Sequence, residues 1–441
     1  MDLILKGGTV WTPNGPENID VGVQDGRIVA MGDLDASKAA QVFNATGLQV
    51  MPGVIDTQVH FREPGLTHKE DLHTGTAGAA LGGVTAVFEM PNTKPSTLSS
   101  EDLAYKVQRG RETAWTDFAF FIGAAAENVD ELARIELEEG CCGVKIFMGS
   151  STGSLLVDDP EVLEAVLRKG RRRVAVHCED EARLTARKPM VQVDGADASL
   201  HPHWRDEQTA LIATQRLLTV AAKVGRPVHV LHVTTAQEMA LLAQHKDIAT
   251  CEILPQHLTL HAPDCYERLG TFAQMNPPIR SKEHQDALWE AVRNGTVDVL
   301  GSDHAPHTRD EKARPYPASP SGMPGVQTLL PLMLEHVHQG RLSMQRLIDL
   351  TSAGPQRLYN LRGKGRIALG YDADFTVVDL AAVREIQESW IASKCGWSPF
   401  VGHTVHGWPL ATIIRGNIVM REDELIGKPA GQPVRFWDAG R

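Results

Sequence analysis

Between residues 51 and about 355 the chain alternates short apolar runs with stretches whose apolar residues recur every three to four places. Few folds satisfy that alternation. The runs fall at 54–59, 84–90, 117–122, 144–148, 174–177, 228–232, 250–253 and 297–301, and the spacing predicts helices at 130–138, 161–169, 207–224 and 236–244 between them. Strand-like runs joined by amphipathic helices build a parallel sheet with crossover connections. Eight such units predict an α/β fold of the (β/α)8 TIM-like barrel type. With 441 residues and 42% hydrophobic content, the chain has material for one large core and a second, smaller unit.

The ends read differently. Residues 3–5, 20–23 and 27–31 look like hairpin strands separated by Gly7-Gly8 and Asp25-Gly26, and the C-terminal part repeats the style at 375–378, 412–414 and 418–420 around the turn Arg415-Gly416-Asn417. Neither end alone makes a sheet domain. Residues 1–50 plus 356–441 are therefore expected to form one small β-sandwich, with the barrel of residues 51–355 inserted between its halves.

A formal net charge of −11 excludes a general binder of nucleic-acid backbone, which needs a basic surface. Six cysteines, two of them adjacent (Cys141 and Cys142) and none in a C-x-x-C pair, fit apolar fillers in a reducing compartment. No run of about 18 apolar residues and no signal-like N-terminus occurs. The expectation is a cytoplasmic protein without membrane or nucleic-acid partners, acting on a small molecule.

Barrel enzymes draw their chemistry from the carboxyl ends of strands. The run 52–65, PGVIDTQVHFREPG, ends with Asp56, Gln58, His60 and Arg62 on one strand face. Glu89 with Asn92, Lys145, His177, His232, Asn276 and Asp303 also fall at or just past strand ends. A lone histidine there is usually structural, but several polar groups converging on one mouth would be costly without a purpose. A divalent cation supplies one, because imidazole and carboxylate suit zinc. Lys145 has two readings that the residues leave open: a carbamate formed with carbon dioxide, which ligates through oxygen, or a lysine paired with Asp158 or Asp159. Asp303 reads as a general base beside the metal rather than a loop or N-cap aspartate, since Pro306 opposes a long helix there.

PGVIDTQVHFREPGLTHKED, EMPNTKP, GVKIFMGSSTG, VHVLHVT, QMNPPIR and GSDHAPH, in this order, resemble the dihydroorotase family of cyclic amidohydrolases over nearly the whole chain, in its subgroup with lysine at the bridging position. The resemblance implies a metal centre of His60, Lys145 as its carbamate, His177, His232 and Asp303. It implies that Arg62, Asn92 and His307 hold the substrate carboxylate, that Asn276 meets the ring and that Thr152 belongs to a lid. The reaction implied is the reversible hydrolysis of dihydroorotate to N-carbamoyl-aspartate in pyrimidine biosynthesis, with Asp303 moving the proton. A homo-oligomer is the family-level expectation.

Gln58 departs from the family's His-x-His. An amide oxygen is a weak ligand beside imidazole, so one firmly held zinc is expected, with a second position weak or empty. PQHL at 255–258 departs from P-H-H-L. Two rival readings remain: a silent subunit partnering aspartate transcarbamoylase, and a related hydrolase of hydantoin, dihydrouracil or allantoin. Arg171, Arg172 and Arg173 read as a solvated helix end, and His201-Pro202-His203 as surface or substrate-loop residues. Trp397, Phe400 and Trp408 read as packing for the terminal segment.

Overall fold

The computed structural model describes residues 1–151 and 155–437. All eight expected runs are strands of one sheet: β1 (Val54–Val59), β2 (Val84–Glu89), β3 (Asp117–Gly123), β4 (Cys141–Phe147), β5 (Val174–His177), β6 (Val228–Val230), β7 (Ala249–Ile253) and β8 (Val299–Leu300). Neighbours pair in parallel and in sequence order. The segment after β8 closes the barrel on β1: His60 N donates to His304 O at 2.7 Å, and Ser302 N donates to Asp56 Oδ1 at 3.0 Å. Burial pushes the Asp56 carboxyl up to about 7 at this seam.

Helices α1 (Leu72–Leu81), α2 (Ser100–Thr113), α3 (Pro160–Arg168), α4 (Glu207–Val224), α5 (Ala236–Ala243), α6 (Lys282–Arg293) and α7 (Leu329–His338) lie outside the sheet. Local chemistry sets their ends. Asp206 caps α4 by accepting from Thr209 N, and Gly225 stops it in the left-handed conformation at φ 71°. The helix expected at 130–138 shrinks to Leu132–Ile135. Glu136 is taken instead by Arg226 at 2.8 Å and by the backbone of Arg171 and Arg172.

Both termini build two further sheets. One orders Arg27–Gly32, Asp20–Gln24, Leu3–Lys6 and Gln41–Asn44; the other runs Glu424–Leu425, Asn417–Arg421, Thr404–Ile414, Phe375–Glu385, Gln49–Pro52, Thr9–Thr12, Gly15–Asn18. Leu3, Val23 and Phe43 of the first share a core with Val50, Phe375 and Ile413 of the second, which makes a β-sandwich. It is more than a stack of hairpins: Leu3–Lys6 pairs in parallel with Gln41–Asn44, and Thr9–Thr12 with Gln49–Pro52. No helix among the described residues is long and apolar enough to cross a membrane.

Trp397, Phe400 and Trp408 join a core with Leu254, Met275 and Tyr316, so the C-terminal segment braces the barrel's rim. The arginine run is not simply solvated. Arg171 is exposed, but the Arg172 guanidinium lies 4.7 Å from the Phe436 ring and Arg173 donates to Val228 O at 3.0 Å.

Candidate active site

The carboxyl ends of the strands gather the expected residues around one cavity. Gln58, His60, Lys145, His177, His232, Asn276 and Asp303 all line it. Among the described residues, eight other than glycine have positive φ, and three of those are Arg62 (62°), His232 (38°) and Asp303 (44°). Side chains resist that conformation. Its concentration here turns these groups inward from loops rather than strands.

Two pairs face each other across the cavity. His60 Nδ1 is 2.8 Å from Asn92 Oδ1, so that nitrogen donates, and a neutral His60 presents the lone pair of Nε2 to Asp303 Oδ1 at 3.0 Å. Burial keeps His60 below its usual pKa and hence neutral. Two electron-rich atoms at that separation need a cation or a proton between them. On the other side His177 Nε2 donates to Glu179 Oε2 at 2.9 Å, which leaves His177 Nδ1 as an acceptor 3.1 Å from His232 Nε2. Burial also lowers both of these histidines.

Lys145 stands between the pairs in electrostatic terms, within reach of Asp303, His177 and His232. It is 1% exposed, its Nζ has no hydrogen-bond partner, and burial lowers its pKa to about 7. The pairing with Asp158 or Asp159 falls. Both are exposed, and Asp159 caps α3 by accepting from Glu161 N at 2.7 Å. Among the described residues no three His, Cys, Asp or Glu side chains assemble into an ion site. The donor set fits a cation only if Lys145 joins it, and an uncharged amine aimed into the cavity can do so as a carbamate.

Gln58 is tied in by its nitrogen: Nε2 donates to Asp303 Oδ1 at 3.0 Å, while Oε1 is buried without a partner. Gln256 of the PQHL stretch donates to Ser302 O at 2.7 Å and steadies the approach to Asp303.

Beside the His60 and Asp303 pair lies a corner of Arg62, His307 and Lys69, the last paired with Glu311 at 3.1 Å. Arg62 is 2% exposed; its Nε donates to Pro306 O at 3.1 Å, and its guanidinium lies 3.3 Å from His307 Nε2. Burial lowers Arg62 to about 10, still cationic at neutral pH. His307 Nε2 donates to Ser321 O at 3.0 Å and Nδ1 accepts from Lys69 at 3.0 Å. Arg62 and His307 thus meet as expected, whereas the oxygen of Asn92 turns to His60. Glu89 does not line the cavity; it pairs with Lys106 at 2.5 Å. Thr152 lies outside the described residues.

Several supporting residues lie outside the expected set. Glu179, 0% exposed, accepts from both His177 and Arg205. Burial alone would raise its pKa, but Arg205 and His177 together hold it below the usual range. The H-x-E spacing of His177 and Glu179 was the available signal. Lys69 carried none. Of the two histidines around Pro202, His203 is exposed, but His201 is fully buried against Asn276.

Known proteins share both the sequence family and the fold. The profile described as "Amidohydrolase family" matches residues 49–419. The chain belongs to the amidohydrolase family. Within that family, a dihydroorotase of Methanosarcina mazei is 33% identical over 97% of this chain and 96% of its own length. One from Halobacterium salinarum is 38% identical over 85% of this chain and 87% of its own length. An allantoinase of Desulfitobacterium hafniense is 31% identical over 98% of both. Among solved amidohydrolase structures, the L-hydantoinase (dihydropyrimidinase) of Arthrobacter aurescens superposes with TM-score 0.93 at 29% identity, covering 98% of this chain and 99% of its own.

Proposed function

We propose that this chain is a dihydroorotase, hydrolysing dihydroorotate to N-carbamoyl-aspartate and running the condensation in reverse. The observation that carries the reading is the buried Arg62 and His307, with the half-buried Lys69 behind them, beside the His60 and Asp303 pair. A carboxylated ring seated there puts its anion on a fork of donors and its cyclic amide over the histidines. His177, His232, Lys145 as its carbamate, His60 and Asp303 would hold zinc, one ion firmly and a second weakly or not at all because of Gln58. Bound zinc supplies Lewis acidity and a hydroxide source near neutral pH.

The chain's own residues do the rest. Arg62 binds the carboxylate, His307 joins it by turning its Nε2–H from Ser321 O, and the Asn276 amide orients the ring. Asp303, with Oδ1 engaged by Gln58, takes a proton from the attacking water and returns it to the ring nitrogen as the C–N bond breaks. Residues 1–50 with 356–441 serve as the supporting unit for the barrel of 51–355, and the assembly is a homo-oligomer.

The allantoinase and hydantoinase relatives favour a second reading, a ring without a carboxylate. Arg62→Met separates the two. On the dihydroorotase reading it reduces kcat/KM for dihydroorotate by about a hundredfold, and unchanged turnover would reject that substrate. A silent subunit partnering aspartate transcarbamoylase would show neither bound zinc nor turnover of N-carbamoyl-aspartate.

A further inference from the structure

His201 sits behind the cavity wall, at the start of the short helix His201–Trp204. Its Nε2 lies 3.0 Å from Met275 O and 2.9 Å from Asn276 Oδ1, and its Nδ1 is 3.2 Å from the Tyr316 hydroxyl. A backbone carbonyl can only accept, so Nε2 carries a proton whatever the charge of the ring. The Asn276 atom beside that N–H must then be its oxygen. Burial pushes His201 down to about 3, so the ring stays neutral and Nδ1 accepts from Tyr316. With the oxygen spoken for, Asn276 Nδ2 turns to the other side, 3.3 Å from Ser151 Oγ, where both residues line the cavity.

We propose that His201 is a specificity-determining residue: its Nε2–H commits the Asn276 amide to donate into the cavity, so the site selects a ring that places a carbonyl oxygen there. The inference deepens the proposed function and rests on its reading of the cavity as a cyclic-amide site. Around the dihydroorotate ring N–H and C=O groups alternate, so a committed donor is paired when a carbonyl oxygen faces it and opposes an N–H when the ring is rotated in its plane by one position. Leaving a buried donor unpaired is costly. His201 touches no substrate and acts through Asn276.

The test compares His201→Phe, which has no donor, with His201→Gln, whose Nε2 can still donate to Asn276. Steady-state hydrolysis of dihydroorotate and thermal unfolding are followed together. The expected result is a KM raised about tenfold with kcat changed less than about threefold in His201→Phe, and both constants within about threefold of wild type in His201→Gln. A wild-type KM in both variants overturns the proposal. So does a His201→Gln enzyme that unfolds at the wild-type temperature yet is as impaired as His201→Phe. Should His201→Phe fail to fold, Asn276→Asp keeps an oxygen for His201 and turns another into the cavity. Its KM should rise at least about tenfold, and an unchanged KM overturns the proposal. Wild-type turnover of hydantoin or dihydrouracil without turnover of dihydroorotate sinks the substrate reading alone, and the same variants are then read on that ring. No turnover of any of these rings overturns both.

Discussion

Asp303 shows how much one carboxylate can be asked to do. Its Oδ1 takes a hydrogen bond from Gln58 and faces His60 Nε2, each at 3.0 Å. A histidine in place of Gln58 would offer a strong ligand where an amide now points its nitrogen at Asp303. Gln58→His is therefore expected to raise tightly held zinc from about one to about two ions per chain, read by elemental analysis after exhaustive dialysis. Unchanged metal content would show that Gln58 does not limit occupancy. On the opposite wall Glu179 fixes which His177 nitrogen faces the cavity. Glu179→Leu should weaken zinc binding by roughly 10–100-fold, measured by competition with a chromophoric chelator. Equal affinity would make the Glu179 and Arg205 pair a packing feature only.

At the scale of elements, the loops after the strands are held from outside the barrel. Gly65, at φ 89°, lets the loop after β1 lie against the loop after β2, where any Cβ would collide with Lys94 O. Trp397 Nε1 donates to His307 O at 2.8 Å, so the C-terminal segment fixes the backbone at His307. Helix α7 carries a different consequence. His336 packs 4.7 Å from the Trp289 ring, and burial pushes its pKa down to about 4. The unfolded chain, with an ordinary histidine, binds a proton below about pH 6.5 that the folded helix refuses. Stability contributed by His336 is thus present above that pH and lost as pH falls toward 4. Relative to His336→Gln, the wild type should lose roughly 1 kcal/mol per pH unit between about 6.5 and 4, read from urea unfolding at several pH values. A constant difference across that range would contradict the buried neutral form.

Across the whole molecule, one buried cation joins barrel to sandwich. Lys364 is 3% exposed and meets Asp117, at the start of β3, at 2.7 Å. Asp374, in the segment leading to Phe375–Glu385, and Asp372 at 3.6 Å complete the group. Arg27 from the N-terminal sheet reaches Asp372 at 2.9 Å, and Arg415 reaches Asp117. Lys364→Met would remove the cation shared by three buried carboxylates from two parts of the chain, leaving Arg415 to Asp117 and Arg27 to Asp372. The expected cost is about 3–5 kcal/mol, with faster amide exchange in the terminal sheets than in β4 to β7. Uniform exchange with unchanged stability would mean that apolar packing alone joins the two units.

The apolar period determined the barrel and the ends of its strands, because a strand buried on both faces must be continuously apolar and the residue after it must face the rim. The gathering of His60, Lys145, His177, His232 and Asp303 at the rim was legible for that reason, and so was the sharing of the sandwich between the two ends. Contacts between residues far apart in the chain were not. Nothing near Lys145 excluded its pairing with Asp158 or Asp159 until the fold left those aspartates exposed. Nothing near His201 showed that it would face Asn276, nor near Glu89 that Lys106 would draw it away. Tertiary structure decided these because hydrogen bonding depends on which atom lies within about 3 Å, a relation that folding creates and local sequence does not carry.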